Sequence, residues 1–255
     1  MAPYKTMLTL CACAFAAYAL ADVAHEAIGH GGICALLGAR VVYVSTTFED
    51  CSLRSWIIDG AGPCAGIVAA LLLWLWLRVL PPVSRAARAF LCFGFAFTAF
   101  WNFGYLIKSG LTDQGDWAFV IAGLKPPILW HAAITIAGAV SYWISIRLLA
   151  TLLARHLASA EPSARKPLAF TLIAYFAAAA FASVAAFFDP RGPGTILQDA
   201  LPSSLGANGL PLAGWFLQRS SPELRLDVSA SPAWIAAGAA AAIAFVALLG
   251  PGVRF

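Results

Sequence analysis

The sequence predicts an all-α polytopic membrane protein, with about six transmembrane helices and a short strand-like re-entrant segment after the first. Three observations carry this. Of the 255 residues, 61% are hydrophobic and 11% charged, whereas a soluble domain carries roughly 25% charged residues. The apolar residues gather into runs long enough to cross a hydrocarbon core of about 30 Å. The basic residues sit at the ends of those runs and not in one patch, which reads as a topology signal and offers nothing to nucleic acid.

The first run, Met7 to Ala24, follows Lys5. Ala19-Leu20-Ala21 resembles a signal-peptidase site, but apolar character resumes from Ile33 to Leu37, which suits an uncleaved span. Val41 to Ser45 is β-branched and strand-like. Non-helical backbone near membrane depth must be covered by protein or line a watery cavity. The second span is expected from about Ile57 to Leu80, opening at a Gly62-Pro63 turn and stopped by Pro81-Pro82. The third runs from about Ala86 to Ile107 and carries Asn102 near its end. Trp117 to Leu124 is apolar but too short to cross. Spans four, five and six are expected at about Ile128 to Leu153, Leu168 to Phe188 and Ala233 to Leu249, with 189–232 as a long loop. Residues 1–125 then form a membrane core, and 126–255 an addition of three spans. Six spans put both termini on one side. That side carries about nine Lys and Arg, against about four in the two short opposite loops, so the termini are expected in the cytoplasm.

Ionisable side chains at membrane depth are costly, so each marks a functional site by default. Three arrive together in His25-Glu26-Ala27-Ile28-Gly29-His30. Two imidazoles and a carboxylate are what a zinc site needs, with the glutamate free to act as base. On a regular α-helix, residues five apart point roughly 140° away from each other. A single-turn π-bulge would bring both rings to one face, and Gly29, Gly31 and Gly32 make that distortion cheap. The topology gathers His25, Glu26, His30, Gly62, Pro63, Asn102, Asp113 and Asp116 near one membrane surface. A third metal ligand is sought among Asp116, Asp113, Asp22 and His131. Asp116 is favoured because Gly115 lets its backbone reach inward. Asp22, one turn before Glu26, either orients a ligand imidazole from behind or bonds a neighbouring helix. Cys34, Cys51 and Cys64 cluster around the first loop, where a disulfide forms if that loop lies outside the cytoplasm.

The motif His25 to His30, followed by Cys34-Ala35-Leu36-Leu37-Gly38-Ala39-Arg40-Val41, resembles the site-2-protease-type intramembrane zinc metalloproteases. This chain has H-E-x-x-G-H, one residue longer than the usual spacing, a length also found in a family of soluble zinc dipeptidyl peptidases. Asp59 to Gly66 is similar to the A-G-P turn of the site-2-protease-type family, with Gly66 or its neighbours where an Asn is usual. Asn102 with Asp116 resembles its later Asn…Asp-Gly element at longer spacing. The resemblance covers roughly the first half of the chain. It implies Zn²⁺ held by His25, His30 and Asp116, Glu26 as the general base, Asn102 beside the substrate strand, and cleavage of a membrane-embedded protein substrate in or near the lipid bilayer.

The strand-like Val41 to Ser45 offers an edge to which an unwound substrate segment can pair. The expected location is multi-pass, in a bacterial inner (plasma) membrane. A different class of function is a membrane protein that binds metal without hydrolysis, as a carrier, sensor or assembly factor. Four histidines in all are too few for a many-histidine di-iron lipid desaturase or hydroxylase.

Overall fold

The computed structural model describes residues 3–255, and among them helices dominate. The first helical rod runs in three pieces. These are α1 (Pro3–Val23), a π-helical segment (Ala24–Gly31) and α2 (Gly32–Leu36). Next come β1 (Val41–Val44), β2 (Glu49–Cys51), α3 (Trp56–Val79), α4 (Arg85–Thr112), the short α5 (Asp116–Ile121), α6 (Pro127–Leu157) and α7 (Pro167–Phe187). A second π turn (Ile196–Ala200), α8 (Leu201–Leu205), α9 (Gly209–Ser220), α10 (Pro232–Leu248) and β3 (Val253–Arg254) complete the chain.

The helix starts are written in the sequence. Ser55, Ser84 and Ser231 accept hydrogen bonds from the first-turn N–H groups of α3, α4 and α10, each satisfying a donor the helix cannot use. Pro127 and Pro167 open α6 and α7, where the missing N–H costs nothing. Five helices, including the composite Tyr4–Leu36, are long and apolar enough to cross a membrane. The expected sixth, α10, has 17 residues, about 25 Å of helix.

Helix α4 is central and packs against α1, α3 and α6. One apolar core, including Tyr18, Phe93, Phe97, Phe100, Leu149, Phe170 and Leu210, draws on both halves of the chain. The expected boundary near residue 125 therefore divides the sequence but not the core.

The stretch 189–232 is not a loop. Asp189 bonds Ser45 and Thr47 beside β1. Ser203 bonds Tyr18, Gly209 N–H donates to Tyr142, and Leu226 bridges to Ala158 and Arg165 at the far end of α6. The segment thus runs through the bundle as a helix broken at 206–208, adding one crossing to those expected. Its carbonyl and N–H groups at the break are met by the Tyr142 hydroxyl, the condition for broken helix at that depth.

That extra crossing separates the termini. Thr9, near the start of α1, accepts from the Ser231 N–H, whereas β3 pairs antiparallel with β1 through Tyr43–Arg254 and Val44–Val253. Strand β3 lies at the end where the π segment is, and the start of α1 at the other. The expectation of two termini on one side is corrected accordingly. The sheet order β2-β1-β3 also occupies both edges of β1, so the free edge beside the cavity belongs to β2.

Candidate metal centre

The π segment does what the five-residue spacing requires. Gly32 N–H reaches back five residues to Ala27 O, and the local widening turns His25 and His30 to the same side. Their Nε2 atoms lie 3.3 Å apart. Gly29 backs directly onto Gly62, where an added Cβ would fall 2.5 Å from the Gly62 Cα, so this helix pair meets backbone to backbone.

Asp116, at the start of α5, completes a triangle. Its Oδ2 is 3.1 Å from His25 Nε2 and 3.4 Å from His30 Nε2. A tetrahedral zinc with bonds of about 2.0–2.1 Å spaces its ligand atoms about 3.3–3.4 Å apart. The three edges fit that spacing.

The hydrogen bonds on the far side of each ring matter more. Asn102 Nδ2 donates to the Thr98 carbonyl, which turns Asn102 Oδ1 toward His25 Nδ1 at 3.1 Å. His30 Nδ1 lies 2.7 Å from the Ile58 carbonyl. Both Nδ1 atoms therefore face acceptors and must carry the proton. In neutral rings this leaves both Nε2 lone pairs bare, aimed at each other and at a carboxylate oxygen. Three acceptors converge with no donor among them, an arrangement that calls for a cation.

The surroundings are shaped to admit these groups. A Cβ on Gly62 would fall 2.2 Å from His30 Nε2, and one on Gly66 would fall 2.0 Å from Asn102 Nδ2. Gly62 and Pro63 lie inside α3, not in a turn as expected. Gly62 and Gly66, one helical turn apart, form the smooth strip against which His30 and Asn102 seat. Trp101 stacks on His25, with ring centroids 5.0 Å apart at 13°.

Glu26 lines the same cavity and makes no hydrogen bond among the described residues. Asp22 is fully buried, and both its oxygens lack partners. It does not hold His25, the task sequence reasoning offered it; Asn102 does. Asp113 and His131 stand apart as a pair of their own, 3.6 Å from each other.

Cys34 and Cys51 form a disulfide, stapling the end of the first rod to the edge strand β2, while Cys64 is free. The cavity, about 990 Å³, is walled by His25, Glu26, His30, Asp116, Trp101 and Tyr105, with β2 and the 198–208 stretch over it. Sequence reasoning missed Gly66, Ile58 and Tyr105. The first was noted only as a departure from a motif. Ile58 acts through a carbonyl, which its side chain does not reveal. The chain matches no family model, no curated protein and no solved structure.

Proposed function

We propose that this protein is an intramembrane zinc metallopeptidase of the site-2-protease type, cutting a peptide bond of a membrane-embedded protein. The observation that carries the reading is the convergence of two bare imidazole nitrogens and one carboxylate oxygen at 3.1–3.4 Å. His25, His30 and Asp116 would hold Zn²⁺ in the wall of the cavity. Zinc there supplies Lewis acidity and lowers the pKa of water to about 7.

The chain's own groups do the rest. Glu26, unbonded and facing the cavity, takes a proton from the attacking water and passes it to the leaving amine. Asn102 and the Ile58 carbonyl fix both ring tautomers, a task worth 10- to 100-fold in metal affinity at comparable sites. The substrate pairs as an extended strand along the free edge of β2, not along β1 as its sequence suggests, because β1 is flanked on both sides. That Glu26 is unbonded and faces an open cavity favours hydrolysis over metal storage or sensing.

The location is a bacterial inner membrane, with the N-terminal end cytoplasmic and the cavity outside. Two observations support this orientation. Arg85, Arg88, Arg155, Arg165, Lys166 and Arg225 gather at the N-terminal end, and the Cys34–Cys51 bridge at the cavity end suits an oxidising compartment.

The test is metal analysis of the purified protein alongside cleavage of fluorescein-labelled casein in detergent. Wild type should carry one zinc and His30→Ala none. Glu26→Gln should keep its zinc and lose cleavage. A Glu26→Gln protein as active as wild type removes the hydrolase reading.

A further inference from the structure

Among the described residues, one tyrosine hydroxyl of the cavity is not used by the fold. Tyr18, Tyr43, Tyr142 and Tyr175 each spend their hydroxyls on partners within the chain. Tyr105 lines the cavity and makes no hydrogen bond among the described residues. A phenylalanine would pack there equally well.

The ring of Tyr105 is nevertheless closely held. It stands three residues after Asn102, on the same face of α4. It meets the His25 ring edge-on, with centroids 6.1 Å apart at 73°. Lys108 Nζ lies 5.2 Å from the ring centroid. On the remaining side is Gly115, at φ 85°, where an added Cβ would be 2.9 Å from both Cζ and the hydroxyl oxygen. The phenol therefore rests over the residue that precedes Asp116, in the wall of the cavity that His25, His30 and Asp116 also line.

We propose that the Tyr105 hydroxyl is the hydrogen-bond donor to the scissile carbonyl oxygen as negative charge develops on it. This rests on the peptidase reading above. In that reaction the water oxygen bonds to the carbonyl carbon, and the C=O π pair moves onto the carbonyl oxygen. The pair then returns as the C–N bond breaks, and the amine leaves with the proton carried by Glu26. Tyr105 keeps its own proton throughout. Its part is to present a donor, already held in place by the packing of its ring, where the charge appears.

The substitution is Tyr105→Phe in the full-length, zinc-loaded protein, probed with two inhibitors of identical side chains. A phosphinic peptide presents a tetrahedral anion with an oxygen for Tyr105. A thiol peptide presents sulfur alone. The variant should keep its zinc, bind the phosphinic peptide about tenfold to a hundredfold more weakly, as expected for one lost hydrogen bond to a charged group, and bind the thiol peptide as wild type does. A zinc-loaded variant whose two affinities are unchanged, or fall together, overturns the proposal. A wild-type protein that carries no zinc and binds neither probe overturns the metal-centre reading first, and this proposal with it.

Discussion

At the scale of single residues, the His25–His30–Asp116 cluster depends on groups outside the cluster itself. Asn102 is the clearest case. Its amide donates to Thr98 and its carbonyl receives the His25 Nδ1 proton, so the bare nitrogen is turned toward Asp116. Asn102→Ala should lower zinc affinity roughly 10- to 100-fold, measured by competition with a chromophoric chelator, with helix content unchanged. His25 and His30 were legible from their types and from the glycines that let the helix widen. Asp116 was legible from the glycine before it. Asn102 was noticed but given a different task, because which side of an imidazole it meets is decided by the α4–π-segment contact and not by spacing. The backbone carbonyl of Ile58 leaves no trace in a sequence at all.

At the scale of elements, the roof of the cavity is fastened at two points. One is the Cys34–Cys51 bridge. The other is Asp189, whose buried carboxylate accepts from Ser45, Thr47 and Arg191, while Arg191 lies over the Phe48 ring. Burial raises the Asp189 carboxyl, but the bonds from Arg191 and Thr47 outweigh it and hold the group below its ordinary value of 3.8. A carboxylate lowered in this way stabilises the fold fully above its unfolded pKa, and that contribution fades as pH falls through the folded one. Asp189→Asn should therefore cost about 2 kcal/mol at pH 7, with the same penalty at pH 6 and pH 8. Wild type and variant should converge only in acid. Thermal melts in detergent at pH 3 and pH 7 check this, and an equal gap at both values contradicts it. None of this was visible beforehand, since Ser45 and Asp189 are 144 residues apart and nothing local couples them.

At the scale of the whole molecule, the long apolar runs revealed most of the bundle but one crossing stayed hidden. The stretch from Asp189 to Ser220 is interrupted by Pro202, Gly206 and Gly209, and its pieces are each shorter than a spanning helix. Hydropathy over a long window averages such a segment away, although its polar breaks are satisfied inside the bundle. Counting it moves the C-terminus to the opposite face from the N-terminus. Cysteines placed singly at positions 5 and 255 in a variant lacking the native thiols should react with an impermeant maleimide from opposite sides of intact cells. Position 255 should label from outside and position 5 only after permeabilisation. Labelling of both from one side would contradict the seven-crossing path.

The pairing of β3 with β1 has a further consequence. The last residues of the chain already lie where an incoming strand would lie, along the side of β1 away from β2. Trimming the chain after Leu249 would bare that flank and give the sheet a second landing strip, on the opposite side of β1 from β2. Ragged C-termini should therefore make the protein stickier toward other polypeptides.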